Sequence, residues 1–412
     1  MKVQVFHPGT QHSWQTALAL QQLGQLESFV TSIFYQPEKL PYRLERHLPV
    51  RLAKRVNAEF RRFSHPGLDP SNVQTVGLAE WAERIAARAG FRGVAQAVDR
   101  VGNRQFAKYL TRSIESDREF ALWGFNGSSL GSFVQGRAAG RTLILDRTIG
   151  DFRVYNRSMA EVAKTHEKWF IPSDRLVPAI QIQNDQREYE LADTILVGCE
   201  YSAETVRLEG GVSVSPKVKV LPYCFDEALF SNSPVPRQLA NDEPLRFLFI
   251  GQISPRKGIH HLLEAFEKIP ASAATLTLVG ELRVPRTTFA RFSDRITYVP
   301  TVSRAEIPAI MASHDVLTFP SYFEGSALSL VEALASGMGI IQTRAAGNGA
   351  TEATGLLLEE PSTEGVYDAL MTAIDSRKMV ERWRASAQLE AHRYTFANYR
   401  ENISKLLLEL AV

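Results

Sequence analysis

Two glutamates, Glu324 and Glu332, stand eight positions apart in the run Tyr322-Phe323-Glu324-Gly325-Ser326-Ala327-Leu328-Ser329-Leu330-Val331-Glu332-Ala333-Leu334. The first follows the apolar run Val316–Phe319 and Pro320 and shares a turn with Gly325; the second lies inside an apolar-periodic stretch. That order predicts a strand, a tight turn and the N-terminus of a helix. Such a terminus offers unpaired backbone N–H groups and a partial positive charge, so it is a seat for phosphate. A carboxylate about two turns further on can accept hydrogen bonds from hydroxyls of a ligand whose phosphate sits at the tip. A phosphate seat beside hydroxyl acceptors suits a nucleotide-sugar. Arg256 and Lys257, within Gly251-Gln252-Ile253-Ser254-Pro255-Arg256-Lys257-Gly258, are the second candidate group. Cations at the start of a helix are electrostatically awkward unless an anion is near. Aimed at a diphosphate leaving group, they would stabilise the charge that develops as a glycosidic bond breaks.

The elements that must position these residues are clearest in the second half. Leu245–Gly251 is a short apolar run ending in glycine, as in a buried parallel strand entering a tight turn. A helical pattern from Ile259 to Ile269 follows, with Leu262, Leu263 and Phe266 on one face. Strands are expected at Ala274–Gly280, Ile296–Val299, Val316–Phe319, Gly339–Thr343 and Gly355–Leu358, with a helix over Ala305–Ser313. In the first half, strands are expected at Val3–Phe6, Ser28–Thr31, Phe120–Phe125, Thr142–Asp146 and Thr194–Val197. Residues from about 36 to 115 read as mostly helical and Arg-rich, and the chain after Ser362 as helical throughout. Alternating strands and helices mean βαβ units and parallel sheets. The Pro- and Asn-rich stretch around 232–244 reads as a linker. An N-terminal domain of residues 1–230, completed by a C-terminal helix at about 395–412, and a C-terminal domain of residues 231–394 are expected. Two such sheets facing an interdomain cleft would bind ligand at the C-terminal ends of their strands.

Composition narrows the class. The length of 412 residues favours two domains. A hydrophobic content of 44% and a net charge of +2 describe an ordinary globular chain without a nucleic-acid signature. The two cysteines, Cys199 and Cys224, form no CxxC, which argues against a disulfide scaffold, a zinc site or a redox pair. No apolar run approaches the ~20 residues of a membrane span, and the start of the chain reads as a strand rather than a signal peptide. A cytoplasmic protein is expected. One segment leaves peripheral membrane contact open. Between Lys39 and Arg62, Leu44, Leu48, Leu52, Val56 and Phe60 recur beside Arg43, Arg46, Arg51, Lys54, Arg55, Arg61 and Arg62. Such a stripe packs on a core or lies on anionic lipid.

Three segments together carry a family resemblance: Gly251–Gly258, the block from His314-Asp315-Val316 through Gly337, and Leu191–Val197 running on to Tyr201-Ser202. The chain resembles the GT-B glycosyltransferases, specifically the large retaining family four. The resemblance implies an α/β fold of two Rossmann-like domains. It also implies a nucleotide-diphosphate sugar as donor and a glycan, lipid-linked or small-molecule acceptor, as in bacterial polysaccharide or glycoconjugate synthesis. By the same resemblance Glu332 binds the ribose hydroxyls and Glu324 contacts the donor sugar. Backbone amides near Gly325, Ser326, Ala327 and Leu328 hold phosphate and sugar, the turn at Gly251 lies on the donor side, and Arg256 with Lys257 neutralises the diphosphate. Gln252 departs from the pattern, since many relatives carry arginine there.

Gly9, in His7-Pro8-Gly9-Thr10-Gln11-His12, lies in the first strand-to-helix turn, which in the family faces the diphosphate and the acceptor. It reads equally as an ordinary turn glycine. His12 is a candidate to orient an acceptor hydroxyl. Asp151, after Leu145–Gly150, occupies a position where related sequences place a histidine. Its carboxylate could take the acceptor proton or a sugar hydroxyl bond, or cap the helix that follows. No metal or other cofactor is expected, because no DxD cluster is present. A nucleotide-sugar epimerase or hydrolase on the same architecture, and a GT-B-like binding protein with weakened activity, are the alternatives. An NAD-dependent dehydrogenase is disfavoured by the lack of GxGxxG in either strand-to-helix turn.

Overall fold

The computed structural model describes residues 1–9, 12–39, 42–49, 52, 53, 56, 57, 60, 63, 65, 67–76, 106, 108–231, 234–240 and 243–410. The first sheet contains β1 (Val3–His7), β2 (Leu26–Thr31), β3 (Val73–Thr75), β4 (Ala121–Phe125), β5 (Leu143–Arg147), β6 (Thr194–Val197) and β7 (Val218–Val220). Their order is β3-β2-β1-β4-β5-β6-β7. The second contains β8 (Leu245–Ile250), β9 (Ala274–Val279), β10 (Thr297–Val299), β11 (Val316–Phe319), β12 (Gly339–Thr343) and β13 (Gly355–Leu358), in the order β10-β9-β8-β11-β12-β13. Pairings in both are parallel, for example β1 with β2 and β4, and β8 with β9 and β11. Strands β4 and β11 are buried along their whole length, which is why they read as unbroken apolar runs rather than alternating ones.

The chain forms two compact units: residues 1–146, 183–196 and 400–412 make the first, and residues 147–182 and 197–399 the second. In the second, Phe247, Phe249, Leu276, Leu317 and Ile340 from the sheet pack with Ile259, Leu262, Leu263 and Phe266 of the helix Ile259–Phe266. Asp315, fully buried just before β11, accepts from Arg237 Nη1 at 2.7 Å and from Arg384 Nη1 at 3.2 Å. This charge network anchors the helix Arg377–Ala391 to the foot of the strand.

Element boundaries differ from expectation in a few places. The helix begun at Ile259 ends at Phe266, ahead of Pro270. The helix expected over 305–313 begins as a 3-10 turn, Arg304–Glu306, inside a Ser303/Glu306 capping box, and becomes α-helical at Ile307–Ala312. The edge strand β3 was not anticipated. Of the basic segment, Tyr42–His47 is a 3-10 helix rather than part of a long α-helix. Tyr42 is buried with Ile33 and Phe63, and Phe60 packs against them. That contact is the core-packing outcome for this part of the stripe, while Leu52 stays 48% exposed. Arg51, Lys54, Arg55, Arg61 and Arg62 lie outside the described residues. Among the described residues no helix is long and apolar enough to cross a membrane.

Candidate active site

The site grows from the C-terminal ends of β8 and β11, adjacent strands at the middle of the second sheet. After β8 the chain runs through Gly251 into the turn Pro255-Arg256-Lys257 and then Gly258, which adopts φ 67°. A Cβ on Gly258 would lie 1.9 Å from the Pro320 carbonyl oxygen, so only glycine fits there. The two turns are laced together: the Tyr322 N–H donates to the Arg256 carbonyl at 2.9 Å, and Ser321 Oγ donates to the same oxygen at 3.2 Å.

This lacing brings three of the expected site residues into contact. Glu324 Oε1 accepts from Arg256 Nη1 at 2.6 Å, from Lys257 Nζ at 2.6 Å and from Ser321 Oγ at 2.7 Å. Arg256 Nη1 also donates to the Phe323 carbonyl at 2.7 Å, and Lys257 Nζ lies 4.4 Å over the Phe319 ring. These cations are therefore not a solvated pair at a helix start; Lys257 and Glu324 are both buried. Burial alone would raise the Glu324 carboxyl, but Lys257 and Arg256 beside it hold it below its ordinary range. Burial pulls the Lys257 ammonium down to about 8, against the attraction of Glu324.

The loop that carries Glu324 is held by its backbone. The Gly325 carbonyl accepts from Ser202 Oγ at 2.7 Å and from Cys199 Sγ at 2.9 Å. The Glu324 carbonyl accepts from Ser202 Oγ at 3.1 Å and from the Gly150 N–H at 3.3 Å. Tyr201 donates its hydroxyl to the Tyr322 carbonyl at 3.2 Å. Gly325 is obligatory as well, since a Cβ would sit 1.8 Å from the Thr148 carbonyl oxygen. The Ala327 N–H is taken by the Ala346 carbonyl at 3.0 Å. Helix Leu328–Ala335 starts next, and the amides of Leu328 and Ser329 in its first turn have no acceptor within the helix.

Glu332 projects from that helix and is buried, not solvated. Its Oε1 accepts from Arg304 Nη2 at 2.9 Å, and the Arg304 side chain is 63% exposed. Burial pushes the Glu332 carboxyl up, with Arg304 opposing it. Gln252 stands apart from the cation pair, its Nε2 3.3 Å from Glu281 Oε2.

Asp151 caps the helix Phe152–Thr165: its Oδ1 accepts the Arg153 N–H at 2.8 Å, and its Oδ2 pairs with Arg153 Nη2 at 2.8 Å. Of the two roles its sequence position allows, the cap is the one the geometry displays. Gly9 and His12 belong to the first unit. The Gly9 N–H donates to His7 Nδ1 at 2.9 Å, and His12 Nε2 lies 3.6 Å from the buried Asp146 carboxylate. Residues 10 and 11 between them lie outside the described residues. Ser321, Ser202, Cys199 and Arg304 were missed from the sequence. Ser202, Cys199 and Arg304 act by contacts with distant segments, and Ser321 bonds both the nearby Glu324 and the distant Arg256 carbonyl. Only the nearness of Tyr201-Ser202 to an apolar strand hinted at one of them.

Residues 234–390 match the family model described as glycosyl transferases group 1, and this span contains Arg256, Lys257, Glu324 and Glu332. Similar curated proteins include an MMP alpha-(1->4)-mannosyltransferase of Mycolicibacterium hassiacum, 30% identical over 40% of this chain and 38% of its own length. The chain spans 30–42% of the length of the curated relatives it matches. Among solved structures, HepE of Anabaena in complex with UDP aligns over 99% of this chain and all of its own, with TM-score 0.62 and 13% identity. Sucrose-phosphate synthase from Thermosynechococcus elongatus aligns over 100% of this chain and 99% of its own, with TM-score 0.64 and 15% identity. At such identities the likeness speaks for the fold: α/β, with two parallel sheets and flanking helices, as in the GT-B glycosyltransferases.

Proposed function

We propose that the chain is a retaining glycosyltransferase that moves a hexose-type sugar from a nucleotide-diphosphate sugar to an acceptor hydroxyl. The observation that carries this reading is the meeting of Arg256 and Lys257 with Glu324 beside the first turn of Leu328–Ala335. A buried Lys257, a partly buried Arg256 and the first-turn helix amides together make a seat for a diphosphate. The match to glycosyl transferases group 1 over 234–390 supports it. So do the solved complexes of HepE with UDP and UDP-glucose, and of the pneumococcal O-GlcNAc transferase GtfA with UDP and GlcNAc.

In this reading the diphosphate draws Arg256 and Lys257 towards itself, and Glu324 is released to hold the sugar. Glu332 exchanges Arg304 for the ribose hydroxyls. As the anomeric carbon–oxygen bond to the diphosphate breaks, the cations neutralise the departing oxygen. That oxygen takes the acceptor's proton while the acceptor oxygen bonds to the same face of the sugar. Side chains rather than a divalent ion balance the charge, so transfer proceeds in EDTA. The acceptor is a glycan, a lipid-linked saccharide or a small molecule. Thermal melts with UDP, GDP, ADP and dTDP, followed by incubation of the matching donor with and without acceptor, test the proposal. A nucleotide at a hundred times its dissociation constant adds about 2.7 kcal/mol. No stabilisation by any of the four, or donor consumption as fast without acceptor as with it, overturns the reading.

A further inference from the structure

His166 and the adjacent pair His260-His261, distant from it in sequence, meet in the second compact unit. His166 closes the helix Phe152–Thr165, while His260 and His261 lie in the first turn of Ile259–Phe266, directly after the Arg256-Lys257-Gly258 turn. One ring nitrogen from each lies within 4.8 Å of those of the other two. The His166 ring centroid is 4.4 Å from that of His260 and 5.3 Å from that of His261. His260 is fully buried, and its Nδ1 has no hydrogen-bond partner. A buried polar atom left in that state needs an explanation, and a bound ion beside two further imidazoles supplies one.

The surrounding hydrogen bonds fix the tautomer of His261. Thr363 Oγ1 donates to Glu264 Oε2 at 3.3 Å, so the same oxygen accepts from His261 Nδ1–H at 2.8 Å. Nε2 of His261 then carries the lone pair, and Tyr322 donates its hydroxyl to it at 2.6 Å. An imidazole whose outer nitrogen is held by an oxygen while the inner one offers a lone pair is oriented as metal ligands are. The carboxylate behind Thr363, Glu264, also lies 3.7 Å from the exposed Lys168 ammonium.

We propose that His166, His260 and His261 form a binding site for a divalent transition metal of the zinc class, with a water, or the Tyr322 hydroxyl with its proton turned away from His261 Nε2, in the fourth position. Three imidazoles and one oxygen suit Zn2+ or Co2+ and disfavour Mg2+ and Ca2+. Metal–nitrogen bonds of about 2.0–2.1 Å place tetrahedral nitrogens about 3.3 Å apart, so modest ring movements close the site. A bound metal would tie the helix that follows the cation pair to Tyr322, two residues before Glu324. The site stands independently of the proposed sugar transfer.

Titration of tag-free, EDTA-stripped protein with Co2+, followed by visible absorption, tests the site. One equivalent with the intense d–d bands of tetrahedral Co2+, displaced by Zn2+, is expected. His166→Ala and His261→Gln should each weaken binding at least about tenfold while melting like the metal-free wild type. Should the His261 variant fail to fold, His166→Ala and His166→Gln decide the matter, because His166 is only half-buried. No tetrahedral signal in the wild type, or wild-type affinity in the His166 variants, overturns the proposal.

Discussion

Glu324→Gln preserves the shape of the side chain and an acceptor for Ser321 but removes the charge that Arg256 and Lys257 share. The three side chains are 23%, 10% and 10% exposed for Arg256, Lys257 and Glu324, so water screens them little. Removing one partner of a buried ion pair costs roughly 3–5 kcal/mol, because the other charge is left uncompensated. Lys257 can escape part of that cost by releasing its proton, since burial already brings it to about 8. The low end, about 3 kcal/mol, is therefore expected at pH 7. At about 2–4 °C per kcal/mol for a unit of this size, melting falls by roughly 6–12 °C. A bound diphosphate supplies the missing anion. The nucleotide-induced rise in melting temperature should accordingly be larger in the variant than in the wild type. Circular dichroism melts of both proteins with and without the nucleotide that binds measure both quantities. A variant that melts like the wild type refutes the buried charge cluster, and equal nucleotide-induced shifts refute the placement of a diphosphate at these cations.

Three further outcomes are expected. On the proposed reading Lys257 binds a diphosphate in its protonated form, and its folded value of about 8 lies below the ordinary 10.5. Nucleotide affinity is then full below pH 8 and falls above it, by up to about tenfold per pH unit. Calorimetric titrations from neutral to alkaline pH should show this fall in the wild type and not in Lys257→Arg; a flat wild-type profile contradicts it. The same shift means that the charged ammonium is disfavoured in the fold, so its contribution to stability improves as pH rises from about 8 towards 10.5. Glu332→Ala removes a charged hydrogen-bond acceptor worth about 1.5–3 kcal/mol and should weaken nucleotide binding roughly 10–100-fold. Its partner Arg304 is mostly exposed, so the fold should persist, and an unchanged dissociation constant would count against the ribose role. Asp151→Ala should cost about 1 kcal/mol through loss of the cap. Asp151→Asn keeps an acceptor for the Arg153 amide and should keep kcat; a fall of roughly a hundredfold without a change in melting would instead place the carboxylate at the reacting atoms.

Much of the second sheet was legible because its central strands β11 and β12 are buried along their whole length and the others are short apolar runs beside turns. Val316–Phe319, Gly339–Thr343 and Gly355–Leu358 are unbroken apolar or glycine-led runs, and they stand where expected. Strand β3 is three residues long at a sheet edge, too short to impose a pattern on Val73–Thr75. The charges of the site were visible individually, since Arg256, Lys257 and Glu324 stand in glycine-bounded turns. That they neutralise one another was not visible, because the contact crosses 68 positions between Arg256 and Glu324. Periodicity carries no information about such long-range contacts. The same holds for Gly325, whose glycine is dictated by a carbonyl at Thr148, and for the meeting of His166 with the His260-His261 pair. Asp151 shows the opposite limit: its cap lies within two residues, and local sequence alone left cap and catalyst equally open.

Because β8 and β11 are hydrogen-bonded neighbours, the loop bearing the cations and the loop bearing Glu324 share one foundation. The distance between them is inherited from the ladder, not from a hinge. The two loops that carry these charges are thus seated on one paired foundation, whatever their side chains go on to hold. On the proposed reading, sequence drift in outlying insertions can retune the acceptor while the diphosphate seat keeps its geometry.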